Sequence, residues 1–255
     1  MRLDVAIASR GLARSRNQAS ELIANGQVSV NGKLAHKPSM PVSESDQLQI
    51  TGESYVARSA GKLAGALTAF GISNFKICLD AGSSTGGFTQ ILLERGAQKV
   101  FAIDVGTEQL ADELVSDPRV VSLEGLDIRQ FEPEMYDLDV SDVDLLVADL
   151  SFISLKLVVR SFAKLAPKGD LVALIKPQFE LTKRELTGQG LVKSKAAKEL
   201  AVKGVLGSFE EVGFGLIGLI PSEVRGSSGN QEYLLHAKLG AQGKKVEQLM
   251  ARIAF

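Results

Sequence analysis

The apolar pattern changes character along this chain. Over the first fifty residues it is short and amphipathic; from Arg58 it becomes long apolar runs alternating with helical sequence. Leu3, Val5, Ala6 and Ile7 predict a first helix that stops at Gly11, and Ser15-Arg16-Asn17-Gln18 opens a second, with Ser15 as N-cap and Gly26 just past its end. Val28–Leu34 reads as two short strands around an Asn31-Gly32 turn, and Pro38 and Pro41 break the chain before a third strand at Asp46–Ile50. Beyond a short polar stretch, Gly61–Leu67 predicts a helix. Strands follow near 76–80, 100–104, 120–123, 143–148 and 171–176, each separated by helical sequence. A long amphipathic helix near 195–211 precedes Phe214–Ile220 and Tyr233–Ala237, which read as an antiparallel pair at a sheet edge.

Alternation of this kind implies an α/β domain with a Rossmann-like, mostly parallel, seven-stranded sheet covered on both faces. The expected organisation is a small α+β module at 1–52, a linker at 53–58 and the α/β domain at 59–255. Composition narrows the setting. With 45% hydrophobic residues in 255, the chain can bury a full core. One cysteine, Cys78, lies inside the first long apolar strand, so no disulfide forms within the chain and a reducing compartment is expected. There is neither a signal-peptide core nor a run of about 18 apolar residues, which predicts a cytoplasmic protein with no membrane segment. Net charge is −1 but unevenly spread: residues 104–149 hold 14 acidic and 2 basic residues, and 150–203 hold 11 basic and 4 acidic. That asymmetry allows a positive face for polyanions. In the small module Arg10, Arg14, Arg16, Lys33 and Lys37 cluster before residue 38, which points to phosphate contact.

The candidate chemistry begins where the first long strand meets a glycine turn, Leu79-Asp80-Ala-Gly82-Ser83-Ser84-Thr85-Gly86-Gly87-Phe88. Gly82 turns the chain where a side chain would meet a ligand, and Gly86 and Gly87 open a helix. A dinucleotide fingerprint requires a glycine where Ser84 stands; the spacing Asp-x-Gly-x-x-x-Gly-Gly suits S-adenosylmethionine, which has no phosphate. Asp104 ends the next apolar strand, at the place where a carboxylate holds two ribose hydroxyls. Asp127 and Asp149 also follow apolar runs, so carboxylates gather at one sheet edge; Asp127 is a candidate for the adenine amino group or a turn cap. Four more charges sit where charge is costly. Lys176 and Asp149 end apolar strands, Lys62 lies on the helix that precedes the first strand, and Glu232 starts the last strand after the loop Gly226–Gln231. Strand ends of such a sheet converge on one crevice, where two lysines and two carboxylates offset one another.

Two resemblances sharpen this reading. Arg2-Leu-Asp, Ser15-Arg16-x-Gln18-Ala19 and Gly26-x-Val28-x-Val30-Asn31-Gly32 resemble the αL RNA-binding module of a ribosomal small-subunit protein, implying that Arg14, Arg16 and their neighbours meet a structured RNA backbone. From Tyr55 onward the chain resembles the FtsJ-type ribose 2′-O-methyltransferases, and as a whole it resembles the TlyA or hemolysin A family. The motifs are Val56-Ala-Arg58-Ser-Ala-Gly-Lys62-Leu63, the glycine turn, Val147-Ala-Asp149-Leu-Ser151-Phe152-Ile-Ser154-Leu155, Ile175-Lys176-Pro-Gln178-Phe179-Glu180 and Gly229-Asn230-Gln-Glu232-Tyr233. The resemblance implies an S-adenosylmethionine-dependent methyltransferase fold and a Lys62-Asp149-Lys176-Glu232 tetrad. It also implies a cofactor site over Asp80, Gly82 to Phe88, Asp104, Asp127 and Asp149, and cytidine ribose in ribosomal RNA, free or in a subunit, as substrate.

Lys176 is the candidate base, with Asp149 and Glu232 orienting the lysines; the residues alone leave the base open. No metal is expected: His36 and His236 have no ligand partners at suitable spacing, and one cysteine excludes a thiolate cluster. A monomer or weak dimer is expected. Three other functions compete: a non-catalytic RNA-binding ribosome-assembly factor, a membrane-active hemolysin-like protein, and a dinucleotide-dependent oxidoreductase. The basic residues at 156, 160, 164 and 168 read most simply as the solvated face of a core-packed helix.

Overall fold

A computed structural model of the chain describes residues 1–13, 15–24, 26–50 and 55–255. The candidate Arg14 and the start of the expected linker, residues 53 and 54, lie outside them. The chain divides into two compact units, Met1–Arg58 and Ser59–Phe255.

In the first unit, α1 (Leu3–Ser9) and α2 (Arg16–Ala24) pack on a three-stranded sheet of β1 (Val28–Val30), β2 (Lys33–Leu34) and β3 (Leu48–Ile50), with β1 central and antiparallel to both. The Ser15 hydroxyl accepts the Gln18 N–H at 3.2 Å, the capping that its position predicts. Asn31 and Gly32 both take positive φ, 50° and 77°, as a two-residue hairpin turn of this hand requires. Leu3, Ile7, Leu22, Ile23 and Val28 close a small core.

The second unit opens with α3 (Ser59–Phe70) and continues β4 (Ile77–Ala81), α4 (Gly87–Glu94), β5 (Lys99–Asp104), α5 (Asp112–Val115), β6 (Val120–Glu124), β7 (Leu145–Ala148), α6 (Val159–Leu165), β8 (Asp170–Ile175), α7 (Pro177–Glu180), α8 (Lys195–Val212), β9 (Phe214–Pro221), β10 (Tyr233–Leu239) and α9 (Val246–Met250). The seven strands form one sheet in the order β6-β5-β4-β7-β8-β10-β9. Pairings among β4 to β8 are parallel, and β10 runs antiparallel to both of its neighbours. The chain steps outward from β4 through β5 to β6, then returns to the other side of β4 with β7. That reversal opens a crevice beyond the carboxyl ends of β4 and β7.

Two strand boundaries are set by polar contacts and proline and not by the apolar pattern. β7 begins at Leu145, because the Asp144 carboxylate accepts the N–H groups of Lys76 (2.7 Å) and Ile77 (3.0 Å) and so ties the strand's entrance. β8 ends at Ile175, since Pro177 starts α7 with Lys176 as its N-cap.

Candidate active site

The crevice is built on the turn from β4 into α4. Gly82 has φ +85°, and a Cβ there would lie 2.8 Å from the Asp149 carbonyl oxygen, so the absence of a side chain lets the two strand ends touch. Ser84 also has a positive φ, 47°, and its N–H donates to Asp104 Oδ2 at 2.8 Å. Gly86 serves packing instead: at φ +96° its missing Cβ leaves room for Leu110 and Leu114.

Beside this turn lies a cavity of about 560 Å³. Gly82, Ser84, Asp104, Asp127 and Asp149 line it, and its wall carries these three carboxylates with no basic side chain. Both Asp104 oxygens are held by backbone, from Ser84 and from Gly106 (2.7 Å), leaving lone pairs for a ligand's hydroxyls. Glu124 accepts the N–H groups of Glu108, Gln109 and Leu110, fixing the loop that brings Gln109 to the wall. Those bonds, Leu110 first, hold its pKa below the ordinary carboxylate value. Asp127 is paired with Arg129 at 2.5 Å and accepts its N–H, so it caps a turn and lines the cavity at once. Arg129 already offsets Asp127 and a lysine offsets Asp149, so among the described residues Asp104 is the wall's carboxylate without a cationic partner; it disfavours a pyrophosphate and suits a ligand bearing hydroxyls or positive charge.

The two ion pairs lie at the same end of the sheet. Lys176 Nζ is 2.6 Å from Asp149 Oδ1 and donates to Ser151 Oγ at 2.8 Å. Lys62 Nζ, from α3, is 2.6 Å from Glu232 Oε2, with both side chains buried (5% and 3% exposed). Tyr233 pairs with Ile175, so Glu232 enters beside Lys176 from the neighbouring strand. The Gln178 amide, two residues after Lys176, donates to Glu232 Oε1 at 3.4 Å. Gly226 has no side chain where the Glu232 carboxylate passes. At the rim Phe152 is 91% exposed with φ 64°, and its ring centroid lies 5.2 Å from that of Phe179.

Other candidates are placed elsewhere. Asp80 does not line the cavity: it is fully buried and accepts the Thr89 hydroxyl of α4 at 2.6 Å, and burial pushes its pKa up to about 7. Ser83, Gly86, Gly87 and Phe88 are buried in the turn and the packed face of α4, and Thr85 is exposed off the wall. In the small unit Arg16 Nε bonds Asp4 at 2.8 Å, and Arg10 donates to the carbonyls of Asp46 and Ser43, both at 2.7 Å. Both therefore spend donors on their own fold, whereas Lys33 and Lys37 are exposed. Ser151, Gln178, Gln109 and Glu124 were not among the candidates, because uncharged polar residues and a strand-end Glu carry no signal apart from their neighbours in space. Glu180 is another: buried, it accepts Ser154 Oγ and the Leu155 N–H (2.8 Å) and ties the segment after Lys176 to the one after Asp149. Burial raises its pKa.

The family model for FtsJ-like methyltransferases matches residues 55–239, and that for the S4 domain matches residues 1–48. The 16S/23S rRNA (cytidine-2′-O)-methyltransferase TlyA of Mycobacterium tuberculosis is 45% identical over 92% of this chain and 88% of its own length. Hemolysin A of Brachyspira hyodysenteriae is 37% identical over 92% of this chain and 99% of its own. A solved structure from Streptococcus thermophilus, 35% identical, superposes with a TM-score of 0.74 over 99% of this chain and 94% of that one. Among the described residues no helix is long and apolar enough to cross a membrane.

Proposed function

We propose the following function for this chain, which belongs to the FtsJ-like methyltransferase family and resembles its TlyA members throughout. It transfers a methyl group from S-adenosylmethionine to the ribose 2′-hydroxyl of a cytidine in ribosomal RNA. The observation that carries this reading is the juxtaposition of two Lys–carboxylate pairs, each 2.6 Å across, with a cavity walled by three aspartates.

The cavity fits the donor on its own terms. A sulfonium and an amino group are cations, and the wall offers the carboxylates of Asp104, Asp127 and Asp149, of which Asp104 has no cationic partner among the described residues. Its volume lies within the ordinary range for a small-ligand site, about 300–1,000 Å³. When bound, the donor supplies an electrophilic methyl carbon. This chain's residues supply the rest. Asp104 is suited to the ribose hydroxyls and Asp127 to the adenine amino group, while Gly82 leaves space along the turn. Asp149 both borders the cavity and holds Lys176, so the lysine meets the acceptor hydroxyl where the methyl arrives. Lys176 acts as the base after releasing its ammonium proton to solvent; it then takes the hydroxyl proton as the ribose oxygen bonds the methyl carbon and the carbon–sulfur bond breaks, with the Ser151 hydroxyl 2.8 Å away fixing its direction. Lys62 and Glu232, buried and paired, hold the far side and orient the ribose through Gln178. Phe152 offers an exposed ring on which a nucleobase can stack. The S4 unit binds the RNA backbone with its exposed Lys33 and Lys37, and Arg10, Arg14 and Arg16 belong to the same basic cluster in the sequence.

The test is transfer of tritiated methyl from labelled S-adenosylmethionine to ribosomal RNA and to intact subunits, followed by nuclease digestion and mass spectrometry. The expected product is 2′-O-methylcytidine. Label found on a base, or no transfer to any ribosomal RNA, refutes the reading.

A further inference from the structure

From Leu150 to Gly169 the chain carries four basic residues, Lys156, Arg160, Lys164 and Lys168, and no acidic one, although the whole chain has net charge −1. The first three step four residues apart through the turn 155–157 and α6, and all four are exposed. Val159, Phe162 and Leu165 of α6 are buried in the core, so Arg160 and Lys164 occupy the outer face of an anchored helix, with Lys156 in the turn that leads into it. A merely solvated face interleaves both signs, because like charges at i and i+4 repel while opposite charges attract. Here the repulsion is left standing: among the described residues neither Arg160 nor Lys164 makes an ion pair or a side-chain hydrogen bond. Lys156 reaches only Glu180, at 3.8 Å.

Place adds to charge. Ser151, Phe152, Ile153 and Val158 line the cavity, so the stripe starts inside the segment that forms its rim and leads away from it. Leu157, 65% exposed, lies in the same segment. Four helical residues rise about 6 Å, comparable to the step between successive phosphates of one RNA strand.

We propose that the exposed face of Lys156, Arg160 and Lys164 is a second RNA-contact surface, on the methyltransferase unit itself. It binds the phosphate backbone of the strand flanking the target nucleotide and so holds that strand in register with Lys176. A membrane surface is the poorer partner, since the apolar side of α6 is already committed to the core and cannot enter lipid. The proposal rests on the RNA substrate proposed above.

The experiment compares the wild-type full chain with Arg160→Gln/Lys164→Gln and with the charge-conserving Arg160→Lys/Lys164→Arg. Neither pair touches the tetrad or the cavity wall. Binding to in-vitro transcribed ribosomal RNA and to intact subunits is measured across a salt series, alongside methyl transfer and S-adenosylmethionine affinity. Removing two phosphate contacts lowers the slope of log K against log salt by roughly 1.5 to 2 and weakens RNA binding at least roughly tenfold near physiological salt. KM for RNA rises to match, kcat at saturation and donor affinity stay unchanged, and the charge-conserving pair behaves as wild type. An unchanged slope and KM in the glutamine pair, with the wild type active, overturns this surface alone. A wild type that methylates no RNA overturns the proposed function and this surface with it. Equal weakening in both pairs shows a packing effect and also overturns it.

Discussion

Gly82→Ala tests the shortest route from backbone to chemistry. A Cβ on Gly82 would sit 2.8 Å from the Asp149 carbonyl oxygen, 3.0 Å from its carbonyl carbon and 3.1 Å from Leu150 Cδ2, whereas ordinary contact begins near 3.4 Å. Two strand ends must then separate by about half an ångström, and the φ of +85° costs an alanine about 1–2 kcal/mol more. The expected loss of stability is roughly 1–3 kcal/mol, read from urea midpoints. The chemical effect should be larger. Asp149 holds Lys176 at 2.6 Å, and misplacement by about 1 Å can cost a reaction roughly 100-fold, so single-turnover methyl transfer should fall about 10- to 100-fold with donor and RNA saturating. Gly86→Ala is the control. Its φ of +96° imposes similar backbone strain, but its Cβ would meet the flexible ends of Leu110 and Leu114, away from Asp149. It should lose comparable stability and keep its rate within a few-fold. If both variants lose stability and both keep the wild-type rate, contact between the glycine turn and Asp149 does not set the catalytic geometry.

Three further outcomes follow from buried charge. Asp80, raised from 3.8 to about 7 by burial, is protonated in both folded and unfolded chains below pH 4. Between those values the unfolded chain ionises first, so stability falls as pH rises, by up to roughly 4 kcal/mol; Asp80→Asn should flatten that slope, and parallel urea-midpoint profiles from pH 4 to 8 would count against it. Lys62→Met leaves Glu232 buried without its partner and should cost about 3–5 kcal/mol, while adding Glu232→Gln should restore much of the stability but none of the activity. Equal stabilities of the single and double variants in thermal unfolding would contradict the coupling. Lys176→Ala should abolish transfer and leave calorimetric affinity for S-adenosylmethionine within a few-fold, since Lys176 does not line the cavity; loss of both makes the lysine structural.

The sheet was legible because its parallel strands are buried on both faces and so stand out as apolar runs. The same burial hides where a carboxylate points. Asp80 and Asp104 both close apolar runs, yet Asp104 is the last residue of its strand, with both oxygens turned to the backbone beside the cavity. Asp80 sits one residue inside β4 and is aimed at Thr89. Without polar alternation to mark the two faces, nothing in the run separates them. The glycine turn shows a related limit. Gly82 and Gly86 look equivalent in the motif, but one yields space to Asp149 and the other to Leu114, and those neighbours are fixed only when β7 and α5 have packed.

Charge clusters are harder still, because a cation close in sequence to others can serve a partner or its own fold. Arg10 and Arg16 belong to such a cluster and bond, respectively, the carbonyls near residue 45 and Asp4, whereas Arg160 and Lys164 read as ordinary solvated charge and make no ion pair or side-chain hydrogen bond among the described residues. What separates the two cases is the supply of acceptors nearby, not the density of basic residues. A guanidinium whose donors are met at 2.7 Å by its own backbone has less to offer a phosphate. An unpaired stripe keeps its whole charge for one, so the steeper salt dependence should belong to α6 and not to Arg10. Arg10→Gln should accordingly cost stability first, and Arg160→Gln/Lys164→Gln affinity first. The reverse assignment, found by comparing urea midpoints with RNA binding in the same two variants, would mean that acceptor supply is the wrong criterion for telling structural from recognising cations in this fold.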